Sequence, residues 1–243
     1  MEINALIEAA SRLRDDVDPI GDKLVIEGSV DCVYNPLMYA WDIHKAFIEL
    51  GGDKGADTLL LGMNPGPHGM GQMGIPFSAT KVVRELLGIR NLEVKKPRNP
   101  HPKREVTGLD WHKEEVSGTR LWNLLEEHYG TVENIFSNVF ILNHCPLMLF
   151  KGERATNITP DKISGRNAKE LIERCDQHLR ELVDIMDIKK VIGVGKYAEK
   201  RANIALKDTD VEITSCWHPS PASPLANRNK GKDWRDNIRS VLP

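Results

Sequence analysis

A parallel β-sheet of four strands with helices on both faces, three layers in all, is the fold class predicted for these 243 residues. Three observations predict it. Short apolar runs at 58–61, 138–142, 190–194 and 211–217 read as buried strands. Stretches with apolar residues three and four apart alternate with those runs, the pattern of strand–helix units that build a parallel sheet. The first run, Thr58-Leu59-Leu60-Leu61, stops abruptly at Gly62-Met63-Asn64-Pro65-Gly66-Pro67, a sharp and backbone-rich turn.

Taken in order, Ile3-Asn4-Ala5-Leu6-Ile7-Glu8-Ala9-Ala10 opens an amphipathic helix expected to fade by Asp16. A loop or edge strand around Lys23-Leu24-Val25-Ile26-Glu27 follows. Asn35-Pro36 starts a second helix, asparagine as cap and proline at the first helical position, and Gly51-Gly52 ends it. Its face carries Leu37, Ala40, Trp41, His44, Phe47 and Ile48, so His44 reads as a packed core histidine. A glycine-dense loop runs from Pro67 to Phe77, and structureless loops of that length in compact domains are usually functional. Ser78 or Thr80 caps the next helix, which closes at Gly88. Residues 95–104 form a proline-stiffened basic segment, open between a solvated linker and a phosphate-facing strap. Ser117 begins a helix that ends at Gly130. Residues 166–187 form the longest helix, with its stripe at Leu171, Cys175, Leu179, Leu182, Val183 and Met186. A helix rich in Ala and Lys follows the 190–194 run, and the last helix starts near Asp233. One domain spanning 1–243, without repeats or a disordered tail, is expected.

Hydrophobic content of 40% and charged content of 28% are those of a globular protein. A net charge of −2 gives no global attraction to nucleic acid, so a DNA partner must be held by local basic loops. No apolar run reaches membrane-spanning length and the N-terminus does not read as a signal peptide, which places the chain in the cytoplasm, or in the nucleus of a nucleated host. Cys32, Cys145, Cys175 and Cys216 never approach CxxC spacing and read as buried free thiols rather than iron–sulfur ligands. His44, His101, His112 and His128 lack metal-ligand spacing. No metal or cofactor is expected.

Two later stretches repeat the ending of the first strand. Val139-Phe140-Ile141-Leu142 delivers Asn143 just before Cys145-Pro146, and Ile213-Thr214-Ser215-Cys216-Trp217 delivers His218 just before Pro219-Ser220-Pro221. Parallel strands bring all three side chains to one sheet edge, where open α/β sheets bind ligands. Asn64 orients a water but cannot take its proton, and no Asp, Glu, Ser or Cys is expected beside it as base or nucleophile. Such a site suits a bond that breaks largely unaided, such as an N-glycosidic bond, whose departing base leaves as an anion beside an oxocarbenium ion. The main lever is then a hydrogen-bond donor for that anion, and the imidazole of His218 supplies one. The Asn143 amide, donating to a carbonyl and accepting from a ring N–H, matches uracil at O4 and N3 and rejects cytosine if its orientation is locked. Phe77 is placed to stack on a flipped base. The tract from His218 to Lys232 is stiff, polar and basic, a loop suited to backbone phosphates, with Leu225 as the candidate wedge.

Together these stretches resemble the uracil-DNA glycosylase superfamily, and within it the single-strand-selective monofunctional enzymes. The likeness rests on Gly62-Met63-Asn64-Pro65-Gly66-Pro67, Gly69-Met70 with Gln72, Gly74, Pro76 and Phe77, Asn143-His144-Cys145-Pro146-Leu147 and His218-Pro219-Ser220-Pro221. It continues through Tyr34-Asn35-Pro36-Leu37, Gly108-Leu109-Asp110, Glu115-Val116-Ser117-Gly118 and Ala226-Asn227. The resemblance implies metal-free excision of uracil from single- or double-stranded DNA, leaving an abasic site for base excision repair. It implies that Asn64 positions water, Phe77 stacks, Asn143 reads uracil and His218 steadies the leaving base. Gly66 and Met70 border the C5 side, where oxidised 5-substituents are admitted. Pro219, Ser220, Pro221, Leu225, Asn227, Arg228 and Lys230 form the DNA-binding loop. His68 departs from the pattern by standing where an aromatic such as Phe or Trp is expected. Ala222 departs by standing where a basic residue is expected, with Arg228 or Lys230 as candidates to replace it.

Singly, each site residue has a plainer reading. Asn64 and Asn143 cap turns in many proteins, and a lone histidine often satisfies a buried carbonyl. Gly193-Val194-Gly195 follows the third core strand rather than the first, so it reads as a strand–helix turn and not a dinucleotide loop. No lysine lies within the motifs to form a Schiff base, so strand cleavage is not expected. Two alternatives stand beside uracil excision: preference for the deaminated purines hypoxanthine or xanthine, and a non-catalytic nucleotide- or single-strand-binding module. A monomer is expected.

Overall fold

The computed structural model describes residues 3–243, so Met1 and Glu2 of the expected first helix lie outside the described residues. In chain order the main elements are α1 (Ile3–Ile26), β1 (Cys32–Tyr34), α2 (Pro36–Tyr39), α3 (Trp41–Gly51), β2 (Thr58–Gly62) and α4 (Met70–Met73). There follow α5 (Val116–Tyr129), α6 (Val132–Asn138), β3 (Val139–Asn143), β4 (Met148–Lys151), β5 (Thr156–Ile158) and α7 (Arg166–Met186). The chain closes with β6 (Lys190–Val194), α8 (Lys196–Ala205), β7 (Glu212–Cys216), α9 (Pro224–Asn227) and α10 (Lys232–Arg239).

The four expected strands form the parallel sheet, in the order β3-β2-β6-β7. Gly62 pairs with Asn143 and Val194 with Cys216, so the carboxyl ends finish nearly level. Every residue of β2 and β3 is buried, which is why these strands read as unbroken apolar runs instead of alternating ones. The β2-to-β3 connection crosses the sheet in one direction and the next two cross in the other. Right-handed crossovers therefore put α5 and α6 on one face and α7 and α8 on the opposite one.

Several expectations are corrected. The first helix does not fade at Asp16: α1 runs 24 residues, takes in the supposed edge strand at Lys23, and is longer than the 21 residues of α7. Its buried stripe continues through Leu13, Val17, Ile20 and Leu24, and Pro19 falls on the solvent side. Packing of that stripe along α7 outweighs the hydrogen bond that proline forgoes. The helix begun at Asn35 breaks at Ala40 into α2 and α3, although the Asn35 side chain caps it as expected, accepting from the Leu37 N–H at 3.2 Å. Neither Ser78 nor Thr80 caps the turn after Phe77; the Thr80 hydroxyl donates to the Trp111 carbonyl, and the Glu114 carboxylate accepts the Lys81 N–H. The glycine-dense loop contains the short α4, and α6 precedes β3 where no helix was foreseen.

The largest omission is a second sheet, antiparallel, in the order β1-β4-β5. Its strands have three or four residues, and Cys32 pairs with Phe150, so no local pattern announces it. The basic segment at 95–104 lies against this sheet and α1. The Lys95 N–H donates to the Tyr39 carbonyl, Arg98 pairs with Asp18 and Asp22, and Lys103 and Arg104 donate to the Glu153 and Ala155 carbonyls. His44 is a core histidine, buried and bonded through Nδ1 to the Gly74 carbonyl at 2.7 Å. Cys145, Cys175 and Cys216 are buried and all four cysteines are free.

Candidate functional site

The level strand ends bring Asn64, Asn143 and His218 to one edge of the sheet. Past the ladder, the His144 N–H donates to the Gly62 carbonyl at 3.0 Å and the Cys145 N–H to the Met63 carbonyl at 2.9 Å. The pairing thus continues up to Asn64. Gly62 is there because nothing larger fits: a Cβ would overlap both Asn143 Oδ1 and the Phe77 ring. Phe77 holds a positive φ of 51°, an uncommon conformation of the kind found at ligand clamps, and its ring lies 5.9 Å from that of His218 between centroids. Asn143 is buried and its Nδ2 approaches Met70 Sδ at 3.2 Å. Asn143, Phe77, Met70 and His218 therefore form one cluster.

His218 is held as a neutral donor. Its Nδ1 accepts the Ser220 N–H at 3.1 Å, which leaves the proton on Nε2. Burial lowers its pKa to about 4, with no carboxylate to oppose the shift. The backbone before it is fixed by α10: the Trp217 N–H donates to Asn237 Oδ1 at 2.8 Å, and Trp234 Nε1 donates to the Trp217 carbonyl at 2.9 Å.

Asn64 and its loop are braced by residues the sequence did not single out. Asn64 Nδ2 donates to the Ile158 carbonyl at 3.4 Å, and Asn157 Nδ2 donates to the Pro65 carbonyl at 2.9 Å, both partners coming from β5. An acid braces the loop two residues past Asn64: the Glu115 carboxylate lies against Gly66, where a Cβ would overlap Oε2. Burial raises its pKa, while the His68 and Ser117 N–H groups bonded to it act the other way. Those amides tie its oxygens to the backbone, the role of a clamp. Behind β3, His144 Nε2 donates to Asp176 Oδ1 at 2.8 Å and its Nδ1 accepts from the Tyr197 hydroxyl at 3.0 Å, while Arg201 pairs with the same aspartate. Motif spacing offers no signal for Asn157 or Arg201, since each acts on a residue far along the chain.

The loop after His218 divides into anchors and exposed groups. Pro219 is buried and its carbonyl accepts Arg120 Nη1 at 3.1 Å; Arg120 Nη2 reaches Asn227 Oδ1 at 3.1 Å. Asn227 Nδ2 donates to the Pro221 and Ser223 carbonyls, so its whole amide is engaged within the loop and α5. Ser220 Oγ accepts the Ala222 N–H. Pro221, Leu225, Arg228 and Lys230 are exposed, Leu225 at 40%, and Arg228 pairs with Asp233 at 3.4 Å. Among the described residues no three His, Cys, Asp or Glu side chains cluster as metal ligands, and no helix is long and apolar enough to cross a membrane.

Comparison with known proteins gives a consistent picture. A family model described as the uracil DNA glycosylase superfamily matches residues 50–242. The chain is 40% identical over 201 residues to the single-strand selective monofunctional uracil DNA glycosylase of Bos taurus, covering 82% of this chain and 73% of that one. It is 39% identical over 215 residues to the protein of that name from Rattus norvegicus, covering 88% and 75%. Among solved structures, that of wild-type Pedobacter heparinus SMUG2 superposes with a TM-score of 0.62 at 18% identity over 86% of each chain, a likeness of fold.

Proposed function

This chain belongs to the uracil DNA glycosylase superfamily, and from that premise we propose how its site excises uracil as a monofunctional hydrolase. The observation that carries the mechanism is the neutral His218, its Nδ1 occupied by Ser220 and its Nε2–H free to donate. As the N-glycosidic bond lengthens, negative charge gathers on the base, and a donor preorganised toward its O2 side stabilises that charge without reorganising. Asn64, tethered to β5, holds a water by its carboxamide for the sugar cation, and the proton is lost to solvent once the C–O bond has formed. Asn143 reads the O4 and N3–H edge, and Phe77 covers the base. Gly66 and Met70 border C5, the position at which oxidised 5-substituents are accommodated. The DNA strand runs over Ser220, Pro221, Leu225, Arg228 and Lys230, with Leu225 entering the stack, while Pro219 and Asn227 shape that loop from within. One chain carries every one of these side chains, which supports a single domain acting as a monomer.

The test is uracil release from labelled single strands and duplexes, followed by alkali. Release with an intact backbone, and scission only after alkali, is expected; scission without alkali contradicts a monofunctional enzyme. A panel including hypoxanthine, xanthine and 5-substituted uracils settles the substrate range, and binding without release would favour the non-catalytic module.

A further inference from the structure

Four residues beyond Asn64, the same loop enters a feature that uracil excision does not use. Trp111 Nε1 donates to His68 Nδ1 at 3.2 Å, and the two rings lie 13° from parallel with centroids 5.6 Å apart. The two rings therefore form one near-parallel, stacked pair. The bond also fixes the histidine: Nδ1 accepts, so the imidazole is neutral and presents an Nε2–H. Burial, followed by the charges of Lys113 and Arg104, holds its pKa below the ordinary value, in keeping with that state.

His68 lines a cavity of about 100 Å³ together with Trp111, Lys103, Arg104 and Lys113, three cations against the single carboxylate of Glu105. Lys103 and Arg104 are anchored by one bond each, to the Glu153 and Ala155 carbonyls, and Arg104 keeps its terminal N–H groups uncommitted. The Lys113 ammonium stands 6.0 Å from the Trp111 ring centroid. In a chain of net charge −2 this is a local concentration of donors beside the catalytic loop.

We propose that this cavity is a phosphodiester subsite, taking a backbone phosphate next to the nucleotide at Asn64, with His68 Nε2–H, Arg104 and Lys113 donating to its oxygens. A cavity this small has no room for a nucleoside, and a phosphate contact adds affinity and register without reading sequence. The inference rests on DNA being the substrate and says where the strand runs, over His68 rather than only past the loop after His218.

Binding to a single strand whose 2′-fluorinated deoxyuridine resists excision tests it, with Lys113→Gln, His68→Leu and the control Lys189→Gln at the other end of the sheet. Lys113→Gln should weaken binding and reduce the slope of log K against log salt by about 0.7, the loss of one phosphate contact on a single strand. His68→Leu should weaken binding too, and Lys189→Gln should change neither quantity. A neutral methylphosphonate at one flanking linkage should cost the wild type affinity and cost Lys113→Gln less, because Arg104 and His68 still face that linkage. Unchanged affinity and slope in both variants, or equal cost at every linkage in wild type and variant, overturns the subsite. Wild-type uracil release from the ordinary deoxyuridine strand reports separately on the excision reading.

Discussion

Two sheets meet at the site, and they differ in how far along the chain their contributions come from. In the parallel sheet the functional side chains stand at or just beyond their own strands: Asn64 after β2, Asn143 at the end of β3 and His218 after β7. The antiparallel sheet offers the base nothing directly. Its last strand reaches back across 94 and 92 residues, Ile158 to the Asn64 side chain and Asn157 to the Pro65 carbonyl. Chemistry is thus set locally and its positioning is set at long range. Substitutions in the first group should change rate without changing stability, and those in the second should change both.

The sharpest division is expected from Asn64→Ala, which removes the water-holding amide and should slow uracil release about 10²-fold, the scale of a misplaced reactant. Its urea midpoint should fall little, since the bond lost to the Ile158 carbonyl is long at 3.4 Å; a large drop would move Asn64 into the bracing group. Gly62→Ala crosses the division, because the added methyl must displace Asn143 or Phe77. Overpacking of this kind costs about 1–3 kcal/mol, so a lower urea midpoint and a slower release should appear together. Asn157→Ala leaves the Pro65 carbonyl without its partner and should cost about 1 kcal/mol. Release should slow by less than tenfold, measured in single turnover.

The last effect concerns pH and is read in stability alone. His218 and His44 are held neutral by burial, each with a pKa of about 4, against about 6.5 in the unfolded chain. Below about 6.5 the unfolded state binds more protons than the native one, so their stabilising contribution is whole above that pH and is lost as pH falls toward 4. Urea midpoints should be lower at pH 5 than at pH 7.5, and His44→Leu should reduce the difference. An unchanged difference would take His44 out of the account.

The same contrast explains what the sequence made legible. Apolar runs ending in Gly62, Asn143 and His218 carry their meaning within ten residues, so the parallel sheet and its convergent edge could be read directly. The Asn35 cap is local and legible; the break at Ala40 depends on tertiary packing and is not. The small sheet pairs Cys32 with Phe150, a match that no window along the chain reveals. Glu115 stands just before α5 and Arg120 on it; the first belongs to a legible motif, but nothing local announces that its carboxylate clamps Gly66 or that Arg120 holds Pro219. The full length of α1 is hidden for the same reason: the local cost of Pro19 is real, but the buried stripe of α1 against α7 overrides it.

The central claim is that the Nε2–H of a neutral His218 carries the leaving base. Single-turnover release of uracil by His218→Leu, compared with wild type on the same single strand, tests it most directly. A loss of about 10²–10³ in rate, with strand binding and urea midpoint retained, is predicted. Release at the wild-type rate would contradict the account.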